Sequence, residues 1–239
     1  MKSARHLDVF GNAILDQYRG MQVVIDTFST LGGHDKIPAK YLFRTFEEMP
    51  EIEQRALELS TGKVLDLGCG AGSHADYLQK KGLEVTPVDL SEGAIKVCQM
   101  RGLSNAKQLD FWKLENEGFD TILSLMNGAG ICGTVKRLPA FLKHLKKLLN
   151  PGGQILIDSS DVLYMYEDEN GHVDLTGVDQ YYGEVHFRTS YKGETSESHP
   201  WLYIDFYNLQ QHAFLVNLTC ELIVNGPHHD YLARVTRPE

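Results

Sequence analysis

The chain has 239 residues, of which 42% are hydrophobic and 23% charged, with a formal net charge of −9. That composition supports a substantial buried core and excludes a disordered polar chain. The acidic balance disfavours a nucleic-acid partner, because a phosphate backbone would be repelled. The densest basic cluster, Lys143, His144, Lys146 and Lys147, falls on the polar side of a predicted helix.

Four cysteines, Cys69, Cys98, Cys132 and Cys220, include no C-x-x-C pair. They suggest reduced thiols rather than a disulfide framework or a zinc site. Met1 to Leu15 carry no long apolar stretch, so no signal peptide is expected. No apolar run approaches the roughly 20 residues needed to cross a bilayer. These features predict a cytoplasmic protein with no membrane partner.

In chain order, residues 1–60 read as helical with interruptions. Val9, Ile14, Leu15, Tyr18 and Met21 recur near helical spacing, Gly32, Gly33 and Pro38 break the pattern, and Tyr41 to Leu59 resume it around Pro50. From residue 63, strands alternate with helices. Lys63–Leu67 is a first strand ending in a glycine-rich turn, followed by a helix over Ser73–Lys81. Leu83–Val88 is a second strand, and Ser91 caps a helix to Arg101. Asn105–Leu109 and Phe119–Leu125 follow as third and fourth strands. A helix from Thr134 then leads to a Pro151-Gly152-Gly153 turn and a fifth strand, Gln154–Asp158. Such alternation implies a parallel sheet with right-handed crossovers.

Beyond Ser160 the pattern becomes antiparallel. In Glu184–Tyr191 the residues Glu184, His186, Arg188 and Ser190 share one face. Trp201–Ile204 reads as another strand, Asp205 caps a helix to about Asn217, and Cys220–Val224 and Tyr231–Val235 are two last strands. The chain thus divides into a helical cap (1–60), an α/β core (61–160), an antiparallel insertion acting as a substrate lid (161–204) and a closing helix and strand pair (205–239).

Three features carry chemistry. In Asp66-Leu67-Gly68-Cys69-Gly70-Ala71-Gly72, glycines at alternate positions let a backbone turn sharply against a ligand, and the next helix offers free N–H groups. Asp89 ends the second strand at a distance suited to a ribose diol. Asp110 after the third strand can accept from an exocyclic amine, and Phe111 can supply an apolar face for a ring. Taken singly, Asp89 could be a helix-start acid beside the Ser91 cap and Asp110 reads equally as an ordinary loop residue; beside the glycine loop the functional reading of both prevails.

Together these pieces resemble the class I S-adenosylmethionine-dependent methyltransferases. Residues 64–72 match the acidic-x-Gly-x-Gly-x-Gly motif, Asp89 the acidic end of the second strand, and Asp110-Phe111 the adenine motif. The likeness covers residues 60–160 well and 205–236 more loosely. It implies a Rossmann-like α/β fold with a seven-stranded sheet in the order 3-2-1-4-5-7-6, flanked by helices, the last strand antiparallel. It implies S-adenosyl-L-methionine as cofactor. Gly68, Gly70 and Gly72 would lie under its methionine and ribose, with Cys69 between them as a small residue. Asp66 would hold the amino group, Asp89 with Leu90 the ribose, Asp110 and Phe111 the adenine, and Leu125 or Met126 would face the reacting centre. His74 could touch the cofactor, or be an ordinary first-turn residue.

Met126-Asn127-Gly128 lacks the signatures of exocyclic-amine and cytosine C5 methylases, leaving a small-molecule acceptor. Arg44 is a candidate clamp for a carboxylate, with a surface ion pair to Glu47 or Glu48 as the alternative. Tyr18, His186 and Arg188 are candidates for the acceptor side, the last two competing with a solvent-facing reading. Most of Tyr164, Tyr166, Tyr181, Tyr182, Trp201 and Tyr203 are expected to pack. No metal is expected at His228-His229, and no signature of an oligomeric state stands out. The competing readings are a nicotinamide-dependent oxidoreductase and a non-catalytic module that binds S-adenosylmethionine or S-adenosylhomocysteine.

Overall fold

Two sheets organise the computed structural model, which describes residues 8–115 and 117–238. The elements run α1 (Val9–Tyr18), β1 (Val24–Ser29), β2 (Gly33–Pro38), α2 (Glu51–Leu59), β3 (Lys63–Leu67), α3 (Ser73–Lys80), β4 (Glu84–Asp89), α4 (Glu92–Met100), β5 (Lys107–Gln108) and β6 (Phe119–Ser124). There follow α5 (Leu138–Leu148), β7 (Leu149–Ser160), β8 (Glu184–Tyr191), β9 (Glu194–Thr195), β10 (His199–Leu202), α6 (Phe206–Leu215), β11 (Thr219–Asn225) and β12 (Asp230–Thr236).

The larger sheet has seven strands in the order β11-β12-β7-β6-β3-β4-β5. From β5 to β7 all neighbours are parallel, while β12 runs antiparallel to both β7 and β11. This is the arrangement that the resemblance implies. The near-continuous apolar runs of β3 and β6 reflect burial on both faces. On one face, Leu65, Ile122 and Ile155 pack with Phe141, Leu142 and Leu145 of α5 and Leu209 of α6. On the other, Val64, Val85, Leu123 and Leu156 pack with Ile52 and Leu57 of α2, Leu78 of α3 and Ile95 of α4. The carboxyl ends of β3, β4, β6 and β7 are thereby brought to one edge.

Strand ends differ in detail from the sequence reading. β5 is only two residues long, and Pro151-Gly152-Gly153 is an irregularity within β7 rather than a turn before it. The pairing with β6 jumps from Phe119↔Leu149 to Thr121↔Gln154, and Gly152 absorbs the kink with φ +77°.

The expectation of an interrupted helical cap over residues 1–60 is corrected, because two strands stand between its helices. Helix α1 stops at Tyr18, followed by Gly20 in a left-handed conformation, and residues 24–38 form the hairpin β1–β2. Alternation of buried Ile25 and Thr27 with exposed Val24 and Asp26 makes this a strand, and Gly33 closes its turn. β1 pairs with β8 of the insertion, so the second sheet runs β10-β8-β1-β2, with β9 added at β8. Residues 1–7, part of the stretch read for a signal peptide, lie outside the described residues. Among the described residues no helix is long and apolar enough to cross a membrane.

Hydrogen bonds at two places fasten α1 and the insertion to the core. Asp8 accepts from Gly11 N (3.0 Å) and Gly93 N (2.8 Å) and from the Ser91 hydroxyl (2.9 Å), capping α1 while gripping the start of α4. At the root of the insertion, Tyr182 donates to Asp161 Oδ1 (2.8 Å), and Tyr181 donates to Asp205, the N-cap of α6.

Candidate functional site

The glycine loop leaves β3 at the carboxyl edge. Gly68 N and Cys69 N donate to Val88 O (2.9 and 3.1 Å), tying the turn to β4. Gly70 has φ +52°, and nothing lies within 4 Å of where its Cβ would be, so this side of the loop faces open space. Gly72, at φ +78°, is the opposite case. A Cβ there would meet Leu103 Cδ1 at 2.6 Å and Cys98 Sγ at 2.8 Å, so only glycine lets α3 start this close to α4.

Asp89 is joined to the loop directly. Its Oδ2 accepts from Gly70 N (2.9 Å) and its Oδ1 from Ser91 N (2.9 Å). Burial raises its pKa, and these N–H groups oppose the rise by favouring the carboxylate. Asp66, the next-to-last residue of β3, shares the strand face of Val64, which is covered by α2 and α3. It is 2% exposed, and its Oδ2 has no hydrogen-bond partner. Burial raises its pKa against the pull of His74.

Behind Asp66 lies a buried ion network. Arg44 Nη2 donates to both Glu53 oxygens (2.6 and 2.7 Å), and His74 Nε2 meets Glu53 Oε2 at 2.8 Å. Arg44 also donates to Tyr41 O (2.8 Å) and lies over the Tyr41 ring at 3.5 Å. Burial works against the imidazolium of His74, but Glu53 and Asp66 outweigh it and its pKa is raised. Glu53 is held below the usual carboxylate range, because His74 and Arg44 overcome its desolvation. Arg44 Nε, like Asp66 Oδ2, is buried without a partner; these are the two such side-chain atoms among the described residues. The alternative of a surface pair between Arg44 and Glu47 or Glu48 is replaced by the buried partner Glu53.

The turn after β6 is held from β7. Met126 and Asn127 both have positive φ (65° and 57°), a strained pairing for residues other than glycine. Asp158 accepts from Met126 N (3.1 Å) and Gly128 N (2.8 Å), which holds the turn in place. Burial pushes the Asp158 carboxyl up to about 7. Leu125 is buried, Met126 is 38% exposed, and Ser160 donates to Asn127 Oδ1 (2.9 Å). Trp201 of β10 then packs on Gly130, where a Cβ would stand 2.0 Å from its Cε2.

The remaining predicted residues are placed as follows. Asp110 is half-buried and accepts from Trp112 N (3.1 Å), capping a short 3-10 turn. Phe111 is buried against Phe141 and His144. Leu90 is 69% exposed at the rim beside Asp89. Cys69 is buried with its Sγ 3.8 Å from Cys98 Sγ. Tyr18 donates to Met100 O (3.1 Å) and stacks on Phe43. His186 and Arg188 lie on the exposed face of the smaller sheet; Arg188 covers the Phe28 ring at 4.5 Å and lines a shallow cavity with Asp26, His34 and Ser190.

The sequence reading missed Glu53 and Asp158. Glu53 stands with Ala56 and Leu57 on the apolar stripe of α2, and Asp158 follows the apolar run Ile155-Leu156-Ile157. Both signals were in the sequence. Chemically, the edge offers a cation at Arg44, unpaired carboxylate capacity at Asp66, a second carboxylate at Asp89 and an open backbone turn between them.

A family model described as "Methyltransferase domain" matches residues 40–219. The chain belongs to this family. A SAM-dependent methyltransferase from Bacteroides fragilis, solved with S-adenosylhomocysteine, is 41% identical over 99% of this chain and 98% of its own, with a TM-score of 0.91. The ubiquinone biosynthesis O-methyltransferase of Idiomarina loihiensis is 31% identical over 116 residues, 45% of this chain and 46% of its own length. A probable phthiotriol/phenolphthiotriol dimycocerosates methyltransferase of Mycobacterium ulcerans is 37% identical over 106 residues, 40% of this chain and 38% of its own. The match thus spans less than half the length of these curated relatives.

Proposed function

We propose that this chain binds S-adenosyl-L-methionine at the glycine loop and transfers its methyl group to a small-molecule acceptor. The observation that carries the reading is the pair of orphaned buried atoms, Asp66 Oδ2 and Arg44 Nε. A buried polar atom without a partner is costly, and a ligand that supplies both an ammonium and a carboxylate removes both costs. The amino-acid end of the cofactor has that zwitterionic form. The relative from Bacteroides fragilis, similar along almost the whole chain, was solved with the demethylated product.

In this reading Asp66 accepts from the ammonium, and Arg44, held rigid by Glu53, faces the carboxylate. Asp89 accepts from the ribose hydroxyls. Asp110 takes the adenine amine and Phe111 contributes to the apolar wall, while Leu90 becomes covered from the rim. Gly68, Gly70 and Gly72 keep the backbone low enough for close approach, and Cys69 and His74 lie behind it. When bound, the cofactor supplies an electrophilic methyl on a sulfonium. The protein's part is then alignment and exclusion of water, and orientation of this kind is worth about 7–11 kcal/mol of barrier. Leu125 and Met126 border the reacting centre, with the turn fixed by Asp158.

The acceptor would enter between that turn and the smaller sheet, with residues 161–204 as its lid and Trp201 nearest on the Gly130 side. Tyr18, His186 and Arg188 remain candidates for the acceptor side; the exposure of the last two favours the solvent-facing reading. A cytoplasmic location fits four free buried thiols.

Calorimetric titration tests the reading. S-adenosylhomocysteine should bind with micromolar or tighter affinity, and a nicotinamide dinucleotide should not bind. The reverse pattern would overturn the assignment in favour of an oxidoreductase. Binding without methyl incorporation across a metabolite fraction would favour a non-catalytic module.

A further inference from the structure

The middle residue of the glycine loop faces a second thiol. Cys69 Sγ lies 3.8 Å from Cys98 Sγ, and Cys98 Sγ in turn donates to Gly70 O at 3.4 Å. Cys98 is held on α4 with no exposed surface, and Cys69 is 6% exposed. The two thiols therefore connect the loop's backbone to the helix that follows Asp89. Among the described residues Cys69 and Cys98 come from segments 29 positions apart, yet they meet directly beneath the open turn at Gly70.

We propose that Cys69 and Cys98 form a reversible disulfide that closes the cofactor loop, making the pair an oxidation site that controls ligand binding. The inference rests on the cofactor reading given above. A disulfide needs the sulfurs at about 2.05 Å, so one sulfur must move by nearly 2 Å. The helix residue is fixed by packing, so the movement falls on Cys69, whose flanking glycines give it backbone freedom. Drawing Cys69 toward α4 shifts Gly70, whose N–H is the donor to Asp89 Oδ2, and removes the thiol donor from Gly70 O.

The reaction balances with a hydroperoxide as oxidant. One thiol ionises and its thiolate takes an oxygen of hydrogen peroxide to give a sulfenic acid, while the departing hydroxide takes up the thiol's proton as water. The second thiol displaces that oxygen as another molecule of water, so two S–H bonds are exchanged for one S–S bond. In the reduced protein, with the sulfurs 3.8 Å apart, the pair is protected. Its contact with Cys98, and then burial, raise the Cys69 pKa well above that of an ordinary thiol and suppress the nucleophilic thiolate. Oxidation is accordingly gated by opening of the loop. A bound ligand that holds the loop shut slows it.

The test treats the full chain with hydrogen peroxide, with and without S-adenosylhomocysteine. Cross-linking is read by intact mass and non-reducing peptide mapping, and ligand affinity by calorimetry. The expected result is a loss of two hydrogens mapped to a Cys69–Cys98 peptide. It should form more slowly with ligand present and weaken binding by about tenfold or more, the equivalent of one charge-assisted hydrogen bond. Dithiothreitol should restore the affinity. Cys98→Ser, which keeps a donor for Gly70 O, should bind ligand and ignore the oxidant.

Oxidation at other cysteines only, a cross-link that leaves affinity intact, or equal loss of binding in Cys98→Ser would each overturn the switch. If the reduced chain binds no S-adenosylhomocysteine, the cofactor reading falls. The disulfide is then judged by its mass and by hydrogen exchange over residues 67–73, which must change on oxidation for the loop-closing claim to survive.

Discussion

Replacing Glu53 with alanine would strand the buried Arg44 guanidinium and take from His74 its hydrogen-bond partner. Glu53 is 3% exposed, takes both of its Arg44 contacts at 2.6 and 2.7 Å, and meets His74 at 2.8 Å. Removing one partner of such a buried pair costs about 3–5 kcal/mol, because the remaining charge keeps its desolvation penalty. In a domain of this size each kcal/mol lowers Tm by about 2–4 °C, so the fall should be roughly 6–20 °C. Arg55 and Glu58 provide an internal control. They pair at 3.1 Å on the same helix with side chains 48% and 50% exposed, and such a pair is worth about 0–1 kcal/mol. Thermal and urea unfolding followed by circular dichroism would compare Glu53→Ala with Arg55→Ala. Equal effects of the two substitutions would refute the claim that the Arg44–Glu53–His74 network supports this edge of the sheet.

Three further outcomes are expected. Asp89→Ala should weaken S-adenosylhomocysteine binding by roughly ten- to a hundred-fold while leaving the circular dichroism spectrum unchanged; unaltered calorimetric affinity would count against the ribose assignment. Asp158 has a folded pKa of about 7, above its unfolded value near 3.8. Its contribution to stability is therefore complete below about pH 4 and is lost as pH rises through 7, up to about 4 kcal/mol in all. Urea midpoints at pH 5 and pH 8 should separate more in the wild type than in Asp158→Asn, and an equal separation would show that this carboxyl is not the titrating group. Gly130→Ala would push a methyl into Trp201, and overpacking of this kind costs about 1–3 kcal/mol. A shifted tryptophan emission is expected alongside; an unperturbed spectrum would mean that the ring does not rest on this backbone.

The core sheet was legible because its strands are buried on both faces and therefore read as short apolar runs, each ended by a glycine turn or an acid. Asp89 and Ser91 stand at such an end, and Asp66 lies one residue before another. The hairpin over residues 24–38 was not legible for a specific reason. Met21 falls at helical spacing from Tyr18, which masks Gly20, the glycine just past the end of the helix. Its partner, β8, lies about 160 residues away in sequence, so no local pattern announces that the two pair. The same separation hid the ion network. For Arg44 the sequence offers a carboxylate clamp or a surface pair with Glu47 or Glu48, which are nearer than Glu53, and only the packing of α2 on α3 brings Glu53 between Arg44 and His74. Asp158 was read as a strand end; its grip on Met126 and Gly128 depends on the neighbouring strand β6.

A crystal structure of the chain soaked with S-adenosylhomocysteine tests the central claim most directly. The account predicts the amino group against Asp66 Oδ2, the carboxylate facing Arg44 and the ribose on Asp89, with the backbone of Gly70 beneath. Density for the nucleoside elsewhere on the molecule, or Asp66 and Arg44 still without polar partners beside a bound ligand, would contradict it.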